Sequence, residues 1–265
     1  MVRLLQIEFI KLWNNRWSRI LVISYFALLT SIALVAAIKF DIGPIKFHLA
    51  EQGIFNFPYI WHFNTFIAAF FKLFLAVVIV SMMANEYSNK TLKQNLIDGL
   101  SKKEFVLSKF LTVVSLALVS AVFVFIVSLV LGLIYSDYNE FSIIFSDLEF
   151  IFAFFLKLTA FFSFCLFLGI LVKRSAFALG LLFLWFIVEQ LLFGLMGWKL
   201  VSWETALRIK NFFPLEAMFN LINEPFSRLN AVQAGASQVG EKFEFDYHLH
   251  GDEVLVVSGG TVLFL

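Results

Sequence analysis

Six long apolar runs constrain this chain more than any other feature of its sequence. They occupy residues 20–38, 61–84, 110–135, 150–172, 176–196 and 254–265. An α-helix needs about 20 mostly apolar residues to cross the hydrocarbon of a bilayer, and the first five runs meet that requirement. The sixth has 12 residues, or about 18 Å of helix. We therefore expect an incomplete sixth span rather than a helix end buried in protein.

Composition and the continuity of these runs exclude the other main classes of protein. Apolar residues make up 61% of the chain and charged residues 15%, whereas soluble domains are about 45–50% apolar. Barrel strands would show alternating hydrophobicity instead of continuous runs. The sequence predicts an all-α polytopic membrane protein, with one transmembrane domain over residues 1–265, six transmembrane helices and an outer segment at 197–253. A net charge of +1 gives no reason to expect a nucleic-acid partner.

The charges of the loops predict the orientation of the spans. If the N-terminus lies in the cytoplasm, the inner segments carry 11 cations and four acids, and the outer segments carry seven cations and 14 acids. The short outer loop at residues 136–149 then has no Lys or Arg, as the excess of cations in cytoplasmic loops requires. We expect a multi-pass protein of the cell membrane with a cytoplasmic N-terminus.

Residues 2–17, ahead of the first span, have an amphipathic pattern. One side of a helix would carry Leu5, Phe9, Leu12 and Trp13, and the other side would carry Arg3, Glu8, Lys11, Asn14 and Asn15. This pattern predicts an interfacial helix whose polar side, with Glu8 and Lys11, faces the cytosol. The alternative is that the stretch continues the first span.

The inner loop at residues 85–109 contains two helix-capping patterns. Thr91 with Gln94 can open a short helix, and Gly99 can end it in the left-handed conformation. Ser101 with Glu104 forms a second capping box that opens the next helix. We expect a short helix over residues 91–100, held between two turns.

The apolar residues of this short helix need a partner. Leu92, Leu96 and Ile97, followed by Leu100, are too few to form a core in a cytoplasmic loop. They suit a groove on a partner protein. The alternative is a solvated loop whose apolar residues rest on the membrane.

Two stretches carry a resemblance to a known family. The first is Ile7-Glu8-Phe9-Ile10-Lys11-Leu12, and the second is Asn85-Glu86 followed by Lys90-Thr91-Leu92-Lys93, Gly99, Ser101, Phe105 and Lys109. Both resemble the permease subunits of ABC-2 type exporters, especially the small permeases of bacitracin- and lantibiotic-resistance transporters. A weaker resemblance lies at Phe212-Phe213-Pro214, where that family has short outer helices before the sixth span.

The resemblance implies roles for these stretches and a set of partners. Residues 2–17 would form an elbow helix, with Glu8, Phe9, Lys11, Leu12 and Trp13 at the interface. Residues 91–100 would form a coupling helix that presses on a separate ATP-hydrolysing subunit. The residues implied in coupling are Glu86, Thr91, Leu92, Lys93, Leu96, Ile97, Gly99, Leu100 and Ser101. The implied partners are a cytoplasmic ABC ATPase, a second permease that is identical or related, and the bilayer of a bacterial cell membrane.

No stretch has the Gly-rich, Lys-Ser/Thr pattern that cradles phosphates. We expect no cofactor in this chain, with ATP and Mg²⁺ bound by the partner subunit, and no enzymatic activity of its own. The expected function is ATP-driven export of an amphipathic or hydrophobic substrate, such as an antimicrobial peptide or a lipid-like molecule. Two alternatives are a non-transporting anchor or assembly subunit and an intramembrane enzyme that uses Glu189 with His62 or Lys157.

Three ionisable residues lie inside predicted spans: Lys72, Lys157 and Glu189. Such a group costs about 2.5–3.5 kcal/mol at the bilayer centre unless it is paired or hydrated. A tight hairpin of the fourth and fifth spans would place Lys157 and Glu189 at nearly the same depth. We expect these two to form an ion pair that holds helices together, with Lys72 as a competitor for the carboxylate. The alternative is a proton or substrate relay.

The stretch 243–250 alternates apolar and polar residues. Glu244, Asp246, His248 and His250 would share one face of a strand, and His-x-His beside carboxylates can bind Zn²⁺ or Cu²⁺. The spacing fixes no third ligand. We therefore expect a polar strand face or an irregular loop, and no metal site.

Overall fold

The computed structural model describes residues 2–37, 39–42, 45–48, 53–138, 140–228 and 248–264. This part of the chain is helical, as predicted, apart from one short antiparallel hairpin of β1 (Lys39–Ile42) and β2 (Ile45–His48). Lys39 lies opposite His48 in the hairpin. No pattern in the sequence predicts this hairpin, which follows directly on the first span.

The N-terminal segment forms α1 (Val2–Asn14) and α2 (Arg16–Ala37). The two helices separate at Asn15, whose side-chain Oδ1 accepts hydrogen bonds from the backbone N–H groups of Trp17 and Ser18 at 3.0 and 3.3 Å. A side-chain oxygen in this position is a typical N-cap, because the first N–H groups of a helix have no partners within it. The N-terminal helix is therefore distinct from the first span, and it ends at Asn14 rather than at residue 17.

The second predicted span is broken into two helices. α3 (Tyr59–Phe70) and α4 (Lys72–Ser88) meet at Phe71 with a bend of 46°. The inner loop then forms α5 (Thr91–Ile97), which is shorter than the predicted helix over residues 91–100.

α6 (Lys102–Tyr135) follows this loop and has 34 residues. The capping box predicted at its start is confirmed. Ser101 Oγ accepts a hydrogen bond from the Glu104 N–H at 3.2 Å, and the Glu104 carboxylate accepts one from the Ser101 N–H at 3.0 Å. The loop therefore enters the third span in a defined direction.

The second half of the chain begins with the single turn α7 (Phe141–Ile144), followed by the long helices α8 (Glu149–Val172) and α9 (Ser175–Leu195). A π-helical turn at Met196–Leu200 ends α9. The short helices predicted after the fifth span are present as α10 (Trp203–Lys210) and α11 (Pro214–Asn220), with a 3₁₀ turn at Phe226–Arg228. The last described helix is α12 (Gly251–Leu263).

Helix α8 lies at the centre of the bundle. It packs against α3, α4, α6, α9 and α12, and its buried residues include Phe154, Phe162 and Phe164. In contrast, α9 exposes large apolar residues such as Phe183 and Leu191. A helix that is apolar on its exposed side as well as its packed side is typical of a membrane span.

Three helical segments of the described residues are long and apolar enough to cross a membrane: Lys102–Tyr135, Phe141–Val172 and Ser175–Leu200. The bent α3–α4 pair makes a fourth if it is counted as one span. Apart from the β1–β2 hairpin, the structure thus confirms the predicted helical protein with several membrane-crossing helices. The count of six spans stays a prediction.

Candidate functional site

Lys109, near the start of α6, is fully buried between two carboxylates. Its Nζ lies 2.6 Å from Glu8 Oε2 of α1 and 2.6 Å from Glu86 Oε1 of α4. Glu8 and Glu86 are also buried, with 4% and 3% of their surfaces exposed. Buried charges are strongly unfavourable unless they are paired. These contacts therefore hold α1, α4 and α6 in one arrangement.

Lys11 completes this arrangement from its partly exposed side. Its Nζ lies 2.8 Å from Glu86 Oε1 and 3.4 Å from Glu8 Oε1. Partial burial disfavours the charge of Lys11, but the hydrogen bonds and charges of Glu86 and Glu8 outweigh this effect and raise the Lys11 pKa. Two lysines and two glutamates are therefore in mutual contact. We call this group the charge cluster: Glu8, Lys11, Glu86 and Lys109.

Thr91, the first residue of α5, connects the short loop helix to the charge cluster. Its Oγ1 donates a hydrogen bond to Glu86 Oε2, whereas Lys11 and Lys109 bind the other oxygen of the same carboxylate. A displacement of α5 would therefore act directly on a buried carboxylate that is bonded to α1 and α6.

This hydrogen bond also corrects one predicted cap. The capping box of Thr91 with Gln94 is wrong, because the Thr91 hydroxyl binds Glu86 instead of the start of its own helix. Helix α5 begins after Lys90, which has a left-handed backbone and no side-chain cap. The prediction for Gly99 is confirmed, since it follows α5 with a φ of +97°.

The side chains of α5 divide into an inner and an outer set. Leu92 and the following Leu100 are half-buried and pack against the core of the bundle, so only part of each side chain is open to the predicted groove of a partner. Ile97 is 84% exposed, Leu96 is half-buried and Lys93 is exposed. Ile97 is thus the most exposed apolar side chain of α5.

The orientation of α1 also differs from its predicted one. Glu8 is buried with Leu12, although the predicted helix turned Glu8 to the cytosol, because Lys109 offers the carboxylate an ion pair inside the protein. Phe9 and Trp13 are exposed, with 37% and 56% of their surfaces accessible. Phe9 and Trp13 are thus free to contact lipid, as an interfacial helix requires.

The buried position of Lys109 is not among the features predicted from the sequence. In the sequence, Lys109 stands out only as part of the stretch that carries the family resemblance. Phe105, Lys109, Thr112 and Leu116 recur at helical spacing and are all buried. A lysine on a helix face that is otherwise packed indicates a buried carboxylate, and this pattern is present in the sequence.

A model of the family described as "ABC-2 family transporter protein" matches residues 12–234, which is most of the chain. The chain belongs to the ABC-2 family of transporter proteins. It is therefore the permease component of an ABC transporter and a multi-pass membrane protein. No curated protein and no solved structure matches the chain.

The predicted ion pair between Lys157 and Glu189 of this permease is wrong. Lys157 Nζ donates a hydrogen bond to the carbonyl oxygen of Phe219 at 2.9 Å. Glu189 accepts hydrogen bonds from Trp185 Nε1 at 2.8 Å and from the backbone N–H of Leu215 at 3.1 Å. The two charged groups therefore have separate partners.

The physical reason is the position of α11, which packs against both α8 and α9. The start of α11 presents free N–H groups to Glu189, whose Oε2 also accepts from the Glu216 N–H at 3.2 Å. A carboxylate at a helix N-terminus is favoured by these groups and by the helix dipole. The end of α11 supplies the carbonyl oxygen for Lys157. Neither group of the ABC-2 permease is placed for the proposed intramembrane chemistry of Glu189 with Lys157.

Within the described part of the predicted strand face, His248 and His250 do not lie in a strand. His248 lies 2.9 Å from Glu149 Oε1, and His250 precedes α12. Glu244 and Asp246 lie outside the described residues. Among the residues that the structure does describe, no group of three or more His, Cys, Asp or Glu side chains could hold a metal ion.

Proposed function

We propose that this ABC-2 permease is the membrane subunit of an ATP-driven exporter and that α5 is its coupling helix. A separate cytoplasmic ABC ATPase would bind ATP and Mg²⁺ and would contact the exposed side of α5. The observation that supports this assignment is the Thr91–Glu86 hydrogen bond, because it attaches a helix with an exposed apolar residue to a buried charge cluster. The resemblance to bacitracin- and lantibiotic-resistance permeases stays a prediction.

The charge cluster supplies a route for mechanical coupling. A force on α5 passes through Thr91 to Glu86, then through Lys109 to Glu8, so α4, α6 and α1 respond together. Coupling between distant sites requires elements that change position as units, and long helices joined by paired buried charges meet that requirement. In this proposal, closure of the ATPases on ATP tilts these helices and opens a path outward for an amphipathic or hydrophobic substrate.

A second permease, identical or related, would complete the membrane domain. Helix α9 exposes Phe183, Leu184, Leu191 and Leu195, and this apolar side suits either lipid or a second permease. The N-terminus is proposed to lie in the cytoplasm of a bacterial cell, as the loop charges indicate.

Purification in mild detergent tests the proposed function. The tagged permease should retain an ABC ATPase, and ATP hydrolysis in the complex should disappear when the phosphate-binding Lys of that ATPase is replaced. Hydrolysis should also depend on the permease, because coupling is mechanical. An ATPase that binds but hydrolyses ATP equally well without this chain would favour the anchor or assembly alternative, and no bound ATPase would contradict the proposal.

Cysteine labelling tests the orientation. The natural Cys165 is buried, and it is replaced by Ser to leave a silent background. A cysteine at Asn95 should then react only from the cytoplasm, and one at Asn139 only from outside, because the loop charges differ. Asn139 itself lies outside the described residues, between the exposed Tyr138 and Glu140. Labelling of both positions from one side would contradict the orientation and the number of spans between them.

A further inference from the structure

A cavity of about 730 Å³ lies between the bent α3–α4 pair, α8, α9 and the α10–α11 segment. This volume is within the range of about 300–1,000 Å³ that is typical of small-molecule sites. Its lining residues include Phe70, Leu73, Phe183, Phe186 and Phe219, which are also exposed on the surface of the helices. On a membrane-spanning bundle that surface faces hydrocarbon, so an apolar chain can enter from the side.

Two lysines of this cavity have no carboxylate partner among the described residues. Lys157 is only 2% exposed, and its Nζ binds the Phe219 carbonyl oxygen at 2.9 Å. Lys72 Nζ lies 4.4 Å from the centre of the Phe161 ring. Across the described ranges of the chain, no carboxylate lies within ion-pair distance of either ammonium group.

The remaining charges of the cavity are already balanced. Lys210 Nζ lies 2.6 Å from Glu216 Oε1, and Gln190 Nε2 donates to Glu216 Oε2 at 3.2 Å. Among the described residues that line the cavity, Lys72 and Lys157 are therefore the two basic side chains without a carboxylate beside them.

An anion is the ligand that these contacts favour. A ring face and a carbonyl oxygen stabilise an ammonium group but leave its charge uncompensated, which is costly at membrane depth. A phosphate or carboxylate bound by Lys72 and Lys157 would form charge-assisted hydrogen bonds and would compensate the ammonium charges. The exposed aromatic residues around the opening would at the same time contact an acyl chain.

We infer that this cavity binds an anionic lipid, with the phosphate or carboxylate of the headgroup at Lys72 and Lys157 and the acyl chains along the aromatic wall. This assignment of a substrate class rests on the proposed function, whereas the binding site itself does not. A headgroup held by these lysines lies within the protein rather than at the membrane surface, as expected for a lipid that is being moved.

Binding of phosphatidylglycerol to the purified permease tests this inference. Native mass spectrometry in detergent compares it with phosphatidylcholine of the same acyl chains. Phosphatidylglycerol should bind about tenfold more tightly, and Lys72→Gln or Lys157→Gln should each weaken it by about tenfold, as expected for a charged hydrogen bond. Lys72→Arg and Lys157→Arg keep the charge and should retain binding.

The matched control is Lys199→Gln, because Lys199 is exposed and lies outside the cavity. If a Gln variant fails to fold, Ala69→Phe fills the cavity while keeping both lysines, and it should cause the same loss. Equal binding of the two lipids, or an equal effect of Lys199→Gln, would overturn the inference. Displacement of the lipid by millimolar inorganic phosphate would assign the site to free anions instead.

The lipid-binding experiment and the ATPase co-purification can fail independently of each other. An ATPase that co-purifies with a permease unable to select phosphatidylglycerol would leave the exporter proposal standing and remove this site. Selective lipid binding without any ATPase would keep the site and contradict the exporter.

Discussion

Replacing Lys109 by Met is expected to destabilise the permease by about 3–5 kcal/mol, the usual cost of removing one partner of a buried ion pair. Glu8 and Glu86 would lose the cation that lies 2.6 Å from each of them, and only the partly exposed Lys11 would remain. Thermal unfolding in detergent, followed by tryptophan fluorescence, measures the loss. Lys103→Met is the matched control, because Lys103 is exposed on the same helix and its removal should change little.

Neutralising the stranded carboxylates should restore much of this loss. Adding Glu8→Gln and Glu86→Gln to Lys109→Met leaves no buried charge uncompensated, and a buried ion cluster replaced as a whole is often no less stable. The triple variant should regain thermal stability but not ATP-driven transport, because the charged contacts between α1, α4 and α6 would still be absent. A triple variant that is stable and transports normally would show that the charge cluster has only a structural role.

Replacing Ile97 by Asp is expected to release the ATPase while leaving the permease folded. Ile97 is 84% exposed in the isolated chain, so a carboxylate there stays hydrated until a partner covers it. Burying it unpaired at an interface should cost at least about 2 kcal/mol, or about 30-fold in affinity. Leu96→Asp should act in the same direction. The measurements are co-purification of the ATPase, transport or resistance activity, and thermal stability of the permease alone.

Leu92 provides the matched control within the same helix. Its side chain packs against the bundle, so Leu92→Ala should lower the thermal stability of the permease, which Ile97→Asp should leave unchanged. If an ATPase stays bound and active with Asp at both 96 and 97, α5 is not the coupling helix. The proposed function would then keep only the membership of the family and the membrane-crossing helices.

Features determined by neighbouring residues could be predicted from the sequence. The long apolar helices follow from the number of consecutive apolar residues. The box of Ser101 and Glu104 and the left-handed Gly99 follow from contacts within a few positions of the chain. For these two features, the groups that form the contacts are close in the sequence, so residue spacing is sufficient to predict them. The predicted cap at Thr91 is wrong because the Thr91 hydroxyl binds the carboxylate of Glu86, which lies outside its own helix.

The tertiary structure alone decided which charged groups meet. Depth in the membrane placed Lys157 and Glu189 at one level, but it could not show that α11 folds between α8 and α9 and supplies nearer backbone partners to both. The charge cluster joins Lys109 to Glu8 across 101 positions of the chain and to Glu86 across 23. The sequence by itself determined that these charges are present and on which helices they lie. Their pairing depends on which helix packs beside which, because a buried charge binds the nearest group that can compensate it.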